Sequence, residues 1–264
     1  MTLRIFKTTL KANARSLVFW AAVAAMVLFL ANSTMSFQNF GFGRNFHKAL
    51  ANFSYVPLRY AVPTFIGLVV CVDLLRDRKN AFYDIQKGTT MKTRQYFVGK
   101  LCAYLLLGFI MAVISAYAHM LIYLMRNVFP YEGWQDSRYT IWEVIWLTFE
   151  RAFFYGLNSI PIYTALAFCV SMLTHSSIAG IVSTLAVSTS SFIIIYPQTY
   201  IGNYVYPVTD KIFDYFYFQH THAPEEAITH IELQDVFISY AYGFAIAAVL
   251  MILGYLRLRR LNDR

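Results

Sequence analysis

Six long apolar runs dominate this chain and set what it can fold into. They are Ser16–Asn32, Leu58–Leu75, Val98–Leu124, Ala152–Leu173, Ile178–Tyr196 and Val236–Leu256. About 20 mostly apolar residues make a membrane-crossing helix, because hydrocarbon offers no water to an unpaired backbone group. The runs fill close to half of the 264 residues, and the connections are too short for a second folded domain. Composition agrees: 58% of residues are hydrophobic and 14% charged, against about 45–50% and about 25% in ordinary globular chains. That balance excludes a disordered chain, a coiled coil, a disulfide scaffold and almost any water-soluble enzyme. The expected fold is an all-α polytopic membrane protein of six transmembrane helices, with residues 1–264 forming a single transmembrane domain. The first run also has a basic start, with Ala31 and Ser33 at signal-cleavage spacing, but the organised segment before it favours a span.

Charge sets the orientation. With both termini cytoplasmic, the inner side holds Arg4, Lys7, Lys11, Arg15, Arg76, Arg78, Lys79, Lys87, Lys92, Arg94, Lys100, Arg257, Arg259, Arg260 and Arg264. Its acids are Asp73, Asp77, Asp84 and Asp263, so this side nets +11 and the other −3. The formal charge of +8 is therefore positive-inside bias, and nucleic acid is not an expected partner. The expected location is the cell (cytoplasmic) membrane, multi-pass. Cys71, Cys102 and Cys169 fall in or at the edge of spans and read as small packing residues with no disulfide.

The connections carry the remaining signals. In residues 1–15, Leu3, Phe6 and Leu10 lie beside a basic stripe of Arg4, Lys7, Lys11 and Arg15, the pattern of a cytoplasmic interfacial helix. Residues 76–100 form the most charged stretch. Gly88 separates one short helix from the next there, and Thr89 or Thr90 caps the second of them. A short polar helix held between two spans can dock a soluble partner; the plainer reading is a solvated loop that only fixes topology. Trp142 and Trp146, with Glu143 and Glu150, predict an outer interfacial extension of the fourth span. Pro161 predicts a kink within it. Residues 197–235 are crowded with Tyr200, Tyr204, Tyr206, Phe213, Tyr215 and Phe216. They read as re-entrant or interfacial helices forming an external gate, or as an aromatic belt.

Enzymatic signatures fail. A nucleotide-binding loop reads G-x-x-x-x-G-K-[ST]; before Gly99-Lys100 the first glycine position is Arg94, and Leu101 follows the lysine. The chain reads as no enzyme in itself. His220, His222 and His230 lie near Glu225, Glu226 and Glu232, but nothing in their spacing fixes a metal geometry, and no metal site is assigned. Intramembrane ionisable groups are scarce: His119 sits in the third span and Asp73 borders the cytoplasm. No chain of carboxylates crosses the bilayer, which argues against a proton-coupled carrier. Small residues at Ser239, Gly243, Ala247 and at Ala21, Ala25 mark close helix approach. Ser183, Thr184, Ser188, Thr189, Ser190 and Ser191 turn the fifth span inward or toward a subunit interface.

The sum of these features resembles the permease subunit of type-2 ABC exporters. The sequence that carries the resemblance is Asp84, Gly88-Thr89, Thr93-Arg94 and Gly99-Lys100, matching that family's acidic residue, Gly-Thr, Ser/Thr-Arg and Gly-Lys order entering span three. The departures are Asp84 for the usual Glu and Lys92 where a Pro is common. The resemblance implies that Asp84, Gly88, Thr93, Arg94, Gly99 and Lys100 couple to a separate cytoplasmic ABC ATPase subunit. That subunit would bind ATP and Mg, with no cofactor in this chain. It also implies a second permease chain, identical or paralogous. The implied activity is outward movement of an amphipathic or hydrophobic cargo (peptide, lipid or drug-like). The competing function is a membrane-embedded peptide sensor or immunity protein that binds at the outer face without transport.

Overall fold

The computed structural model describes residues 1–39, 61–79, 92–125, 140–194 and 233–262. Among these the regular elements are all helices: α1 (Thr2–Ala14), α2 (Leu17–Asn39), α3 (Val62–Lys79), α4 (Thr93–Tyr123), α5 (Ile141–Thr174), α6 (Ser177–Ile194) and α7 (Leu233–Asn262). Each apolar run lies largely on one of α2 to α7. Three helices are long and apolar enough to cross a membrane: Thr93–Tyr123, Ile141–Thr174 and Tyr240–Leu261 within α7. A fourth span arises if α1 and Leu17–Ala31 of α2, bent by 61° to one another, are taken as one. Two of the expected spans fall short on this measure for physical reasons. Helix α3 ends in Asp73, Arg76, Asp77, Arg78 and Lys79, and the apolar described part of α6 is only Ser177–Val187.

Burial is inverted relative to a water-soluble bundle. Ser115, Thr148, Thr164, Ser171 and Thr184 are fully buried, whereas Leu28, Leu121, Ile178, Val182, Phe237, Val249 and Ile252 lie exposed. Apolar surface of this kind, on helices of this length, suits lipid, and Ser115, Thr148 and Thr184 bond to carbonyls of their own helices. Thr148 donates to the Val144 carbonyl at 2.7 Å and Thr184 to Ile181 at 2.8 Å. The chain thus has the character of a helical membrane protein.

Helix α5 is the hub, packing against α3, α4, α6 and α7. Its Thr140–Glu143 capping box closes the first turn, with Glu143 accepting from the Thr140 amide at 2.7 Å. Its 34 residues span about 51 Å, more than the roughly 30 Å of bilayer hydrocarbon. The expected outer extension therefore continues the same helix, with Trp142 and Trp146 exposed on its first turns. Helix α5 runs on through Pro161 as one element.

Small residues set the seams, most tightly between α3 and α6. A methyl added to Gly67 would come within 2.0 Å of the Thr184 hydroxyl, and one on Gly180 within 2.4 Å of Cys71 Sγ. The expected small face of α7 is buried at Gly243 and Ala247. That of α2 is not: Ala21 and Ala25 are exposed, and α2 packs through Phe19, Ala22, Met26 and Leu30 instead. That face of α2 is the one turned toward α3 and α4. All three cysteines are free, with Cys71 and Cys169 buried and Cys102 exposed.

The contacts also sort the ends of the helices. Helix α1 lies against the start of α4, where Gly99 faces Ile5 and the Thr2 carbonyl. Arg78 at the end of α3 donates to the Ser171 carbonyl near the end of α5 at 2.6 Å. Arg257 near the end of α7 reaches His175 just past α5 at 2.8 Å. The strongly basic segments assigned to one side by their charge are therefore gathered at one end of the bundle.

Candidate functional site

The buried ionic chemistry of the described residues concentrates at that basic end, where α3 and α4 flank the charged stretch. Asp73 and Asp77 are one helical turn apart on α3. Tyr96, Lys100 and Tyr104 follow the same four-residue spacing on α4. A spacing of four residues keeps side chains on one helix face, so the two stripes meet. Lys100 Nζ bridges both carboxylates, pairing with Asp73 Oδ2 and, at 2.7 Å, with Asp77 Oδ2. Tyr104 donates to Asp73 Oδ2 at 2.7 Å, and Tyr96 donates to Asp77 Oδ2 at 2.6 Å. Arg76 pairs with the other oxygen of Asp73.

Position makes this cluster consequential. The Asp73 side chain is 0% exposed and that of Lys100 6%, a burial that charged groups tolerate only when paired and hydrogen-bonded. Two carboxylates meet two cations, so the node is neutral as a whole. Three donors converge on Asp73 alone, which fixes its rotamer and locks α3 to α4. Helix α4 itself starts at Thr93 with Lys92 as N-cap, the Lys92 amide donating to Gln95 Oε1 at 3.4 Å.

The sequence-predicted coupling residues divide three ways. Asp84 and Gly88, with Thr89 and Thr90, lie outside the described residues. Thr93 opens α4 half-buried, and Arg94 on the same turn is exposed. Gly99 and Lys100 are buried, so neither offers a surface to a soluble partner. Gly99 is where α1 crosses α4, since an added methyl would sit 2.9 Å from Ile5 Cβ. Lys100 is the centre of the ionic node. The external-gate residues Tyr200, Tyr204, Tyr206, Phe213, Tyr215 and Phe216 lie outside the described residues, as do His220, His222 and His230. Among the described residues no group of His, Cys, Asp and Glu is arranged to hold a metal.

Asp73, expected at the cytoplasmic border of its span, is buried at the basic end and bonded by Lys100, Arg76 and Tyr104. One expectation changes at this end: α1 does not settle through Leu3, Phe6 and Leu10 alone. Its buried line is Ile5, Thr9 and Asn13, which rests on the bundle, while Phe6 and Leu10 are half-buried and Leu3 is exposed. Trp20 Nε1 closes the bend into α2 by donating to the Ala14 carbonyl at 2.8 Å. Neither a scan of protein-family models nor a search of curated proteins finds a match to this chain.

Proposed function

We propose that this chain is the permease subunit of an ATP-driven exporter, with six spans and both termini cytoplasmic, powered by a separate ATPase subunit. The observation that carries the reading is the buried Asp73–Lys100–Asp77 bridge, seated at the two stems of the charged stretch. A docking segment can transmit force to membrane helices only if its stems are rigidly tied to them. Here the tie is ionic, desolvated and bound to both flanking helices. The stretch between them, which includes Asp84, Gly88 and Thr93, then acts as the partner-facing element.

On this reading, nucleotide-driven closure of two ATPase subunits moves the stems of α3 and α4 as one body. Helix α5, packed on both, carries the motion to α6 and α7. The cycle is an alternation between two states biased by nucleotide, and the path opens outward between two permease chains. Cargo is amphipathic or hydrophobic, in keeping with a bundle interior lined by hydroxyls and neutral side chains away from the node.

Affinity purification of the tagged chain from its native membrane tests the proposal. A co-purifying ATPase whose hydrolysis depends on this chain is the expected result; a chain recovered alone overturns it. Cargo uptake into inverted vesicles then separates transport from sensing, since hydrolysis without uptake would identify a sensor.

A further inference from the structure

The basic end carries a second feature, on the outer flank of the bundle between α4 and α7. Arg94, Phe97 and Val98 of α4 and Met251, Ile252 and Tyr255 of α7 enclose an open groove of about 230 Å³. Its wall is fixed rather than collapsible. The Phe97 ring packs edge-on to Phe168 with centroids 5.4 Å apart and lies 5.2 Å from the Tyr255 ring. Ile252 and Val98 leave its mouth apolar and exposed. The one charged residue in the lining is Arg94, which is exposed and without an ion pair among the described residues.

We infer that this groove holds an anionic phospholipid of the surrounding membrane, one acyl chain in the slot and its phosphate on Arg94. Three observations select this occupant. The groove is smaller than the roughly 300–1,000 Å³ sites that enclose a whole drug-sized molecule, so it takes part of a chain. Its one charged lining residue is Arg94, whose planar cation pairs with phosphate oxygens through two parallel bonds. And it lies between two helices long and apolar enough to span a membrane, at the end where the basic residues gather, the setting in which headgroup pockets form. The inference rests on the membrane placement of the bundle and not on the exporter reading. If both hold, the lipid anchors the membrane-side end of the docking stretch, and Arg94 serves as its positioning residue.

Native mass spectrometry of the full chain released from detergent tests this with three probes: phosphatidylglycerol, phosphatidylcholine and inorganic phosphate. The expected result is preferential retention of phosphatidylglycerol and no retention of inorganic phosphate. Arg94→Gln reduces that retention about fivefold, the worth of one basic residue at a membrane surface. Ile252→Trp fills the slot and abolishes retention of either lipid. Arg260→Gln, at the same end but outside the groove, leaves retention unchanged. Equal retention of the two lipids, equal losses from Arg94→Gln and Arg260→Gln, or retention unaffected by Ile252→Trp would overturn the inference. Helical circular dichroism of each variant separates loss of the lipid from loss of the fold. Extraction of the chain without detergent would instead overturn the membrane placement itself.

Discussion

The two ends of the helical bundle are held together by different chemistry. At the basic end, α3 and α4 are joined by buried charges, Asp73 and Asp77 against Lys100, with Tyr96 and Tyr104 completing the bonds and Arg76 pairing with Asp73 within α3. At the opposite end, α4 meets α5 through an apolar cluster of Met120, Tyr123, Leu124, Val144 and Leu147. Neutral polar links between helices occur there among the described residues, Tyr117 donating to the Ile145 carbonyl at 3.0 Å and Tyr240 to the Phe154 carbonyl at 2.8 Å. Directional charge pairing tolerates little change in register, because a displaced partner leaves a buried ion uncompensated. Apolar packing is less directional, and its cost follows area and volume. The difference teaches that the charge pairs of the basic end specify one arrangement of two helices more narrowly than apolar packing does. On the proposed reading, the ionic node is the fixed pivot beside the charged stretch.

Breaking the pivot gives the largest expected effect. Lys100→Met leaves two carboxylates one turn apart with Arg76 paired to Asp73 alone, and it costs about 3–5 kcal/mol in stability, the range for a broken buried pair. The midpoint of thermal unfolding in detergent measures this. The paired replacement of Lys100→Met with Asp73→Leu removes the fully buried carboxylate as well, leaves Asp77 with the Tyr96 hydroxyl, and recovers part of the loss. Recovery identifies the pair as a device for fixing register; a double variant as unstable as the single one would show that the charges stabilise the fold outright.

At the far end the matching experiment is Leu147→Ala. This side chain is 7% exposed within the apolar cluster, and its truncation costs about 2–3 kcal/mol through lost transfer energy and the cavity left behind. Tyr117→Phe, which removes only a neutral bond to a carbonyl, costs about 1 kcal/mol. The comparison of ends fails if either variant proves as damaging as Lys100→Met on the same unfolding scale.

Much of the scaffold is legible in the residues. Apolar length locates the helices because backbone satisfaction in hydrocarbon leaves little choice, and the charge pattern sorts basic segments that the contacts bring to one end. The capping box at Thr140 and Glu143 and the buried glycine of α7 obey local rules. The ionic node does not. Asp73 is visible as an acid near a basic loop and Lys100 as part of Gly99-Lys100, but their pairing depends on α3 and α4 meeting with both four-residue stripes in register. The signal that reveals it is the repetition itself, Asp73 and Asp77 against Tyr96, Lys100 and Tyr104. For the same reason the pattern of α1 alone misplaces its buried face. Helix α1 packs on α4, with Ile5 against Gly99, and an isolated amphipathic pattern cannot include a neighbour that is distant in sequence.

The smallest effect expected at the basic end is one of pH, and it lies at its edge. His175 follows α5 in the left-handed region at φ 56°, and Arg257 lies 2.8 Å from its Nε2. A guanidinium can only donate, so Nε2 accepts and the neutral ring carries its proton on Nδ1. Burial, then Arg257 and Arg78, hold the imidazole below its ordinary value. A base whose folded value is depressed binds fewer protons folded than unfolded, so stability falls as pH drops below about 6.5 toward the folded value. Above that range both states are neutral and the term vanishes. Unfolding midpoints of the wild type should therefore decline on acidification through this window, and His175→Gln should flatten that slope without altering the midpoint at pH 8. The slope is small because the ring is largely solvated. If the variant and wild type decline in parallel, the acid sensitivity does not belong to the junction of α5 with α7.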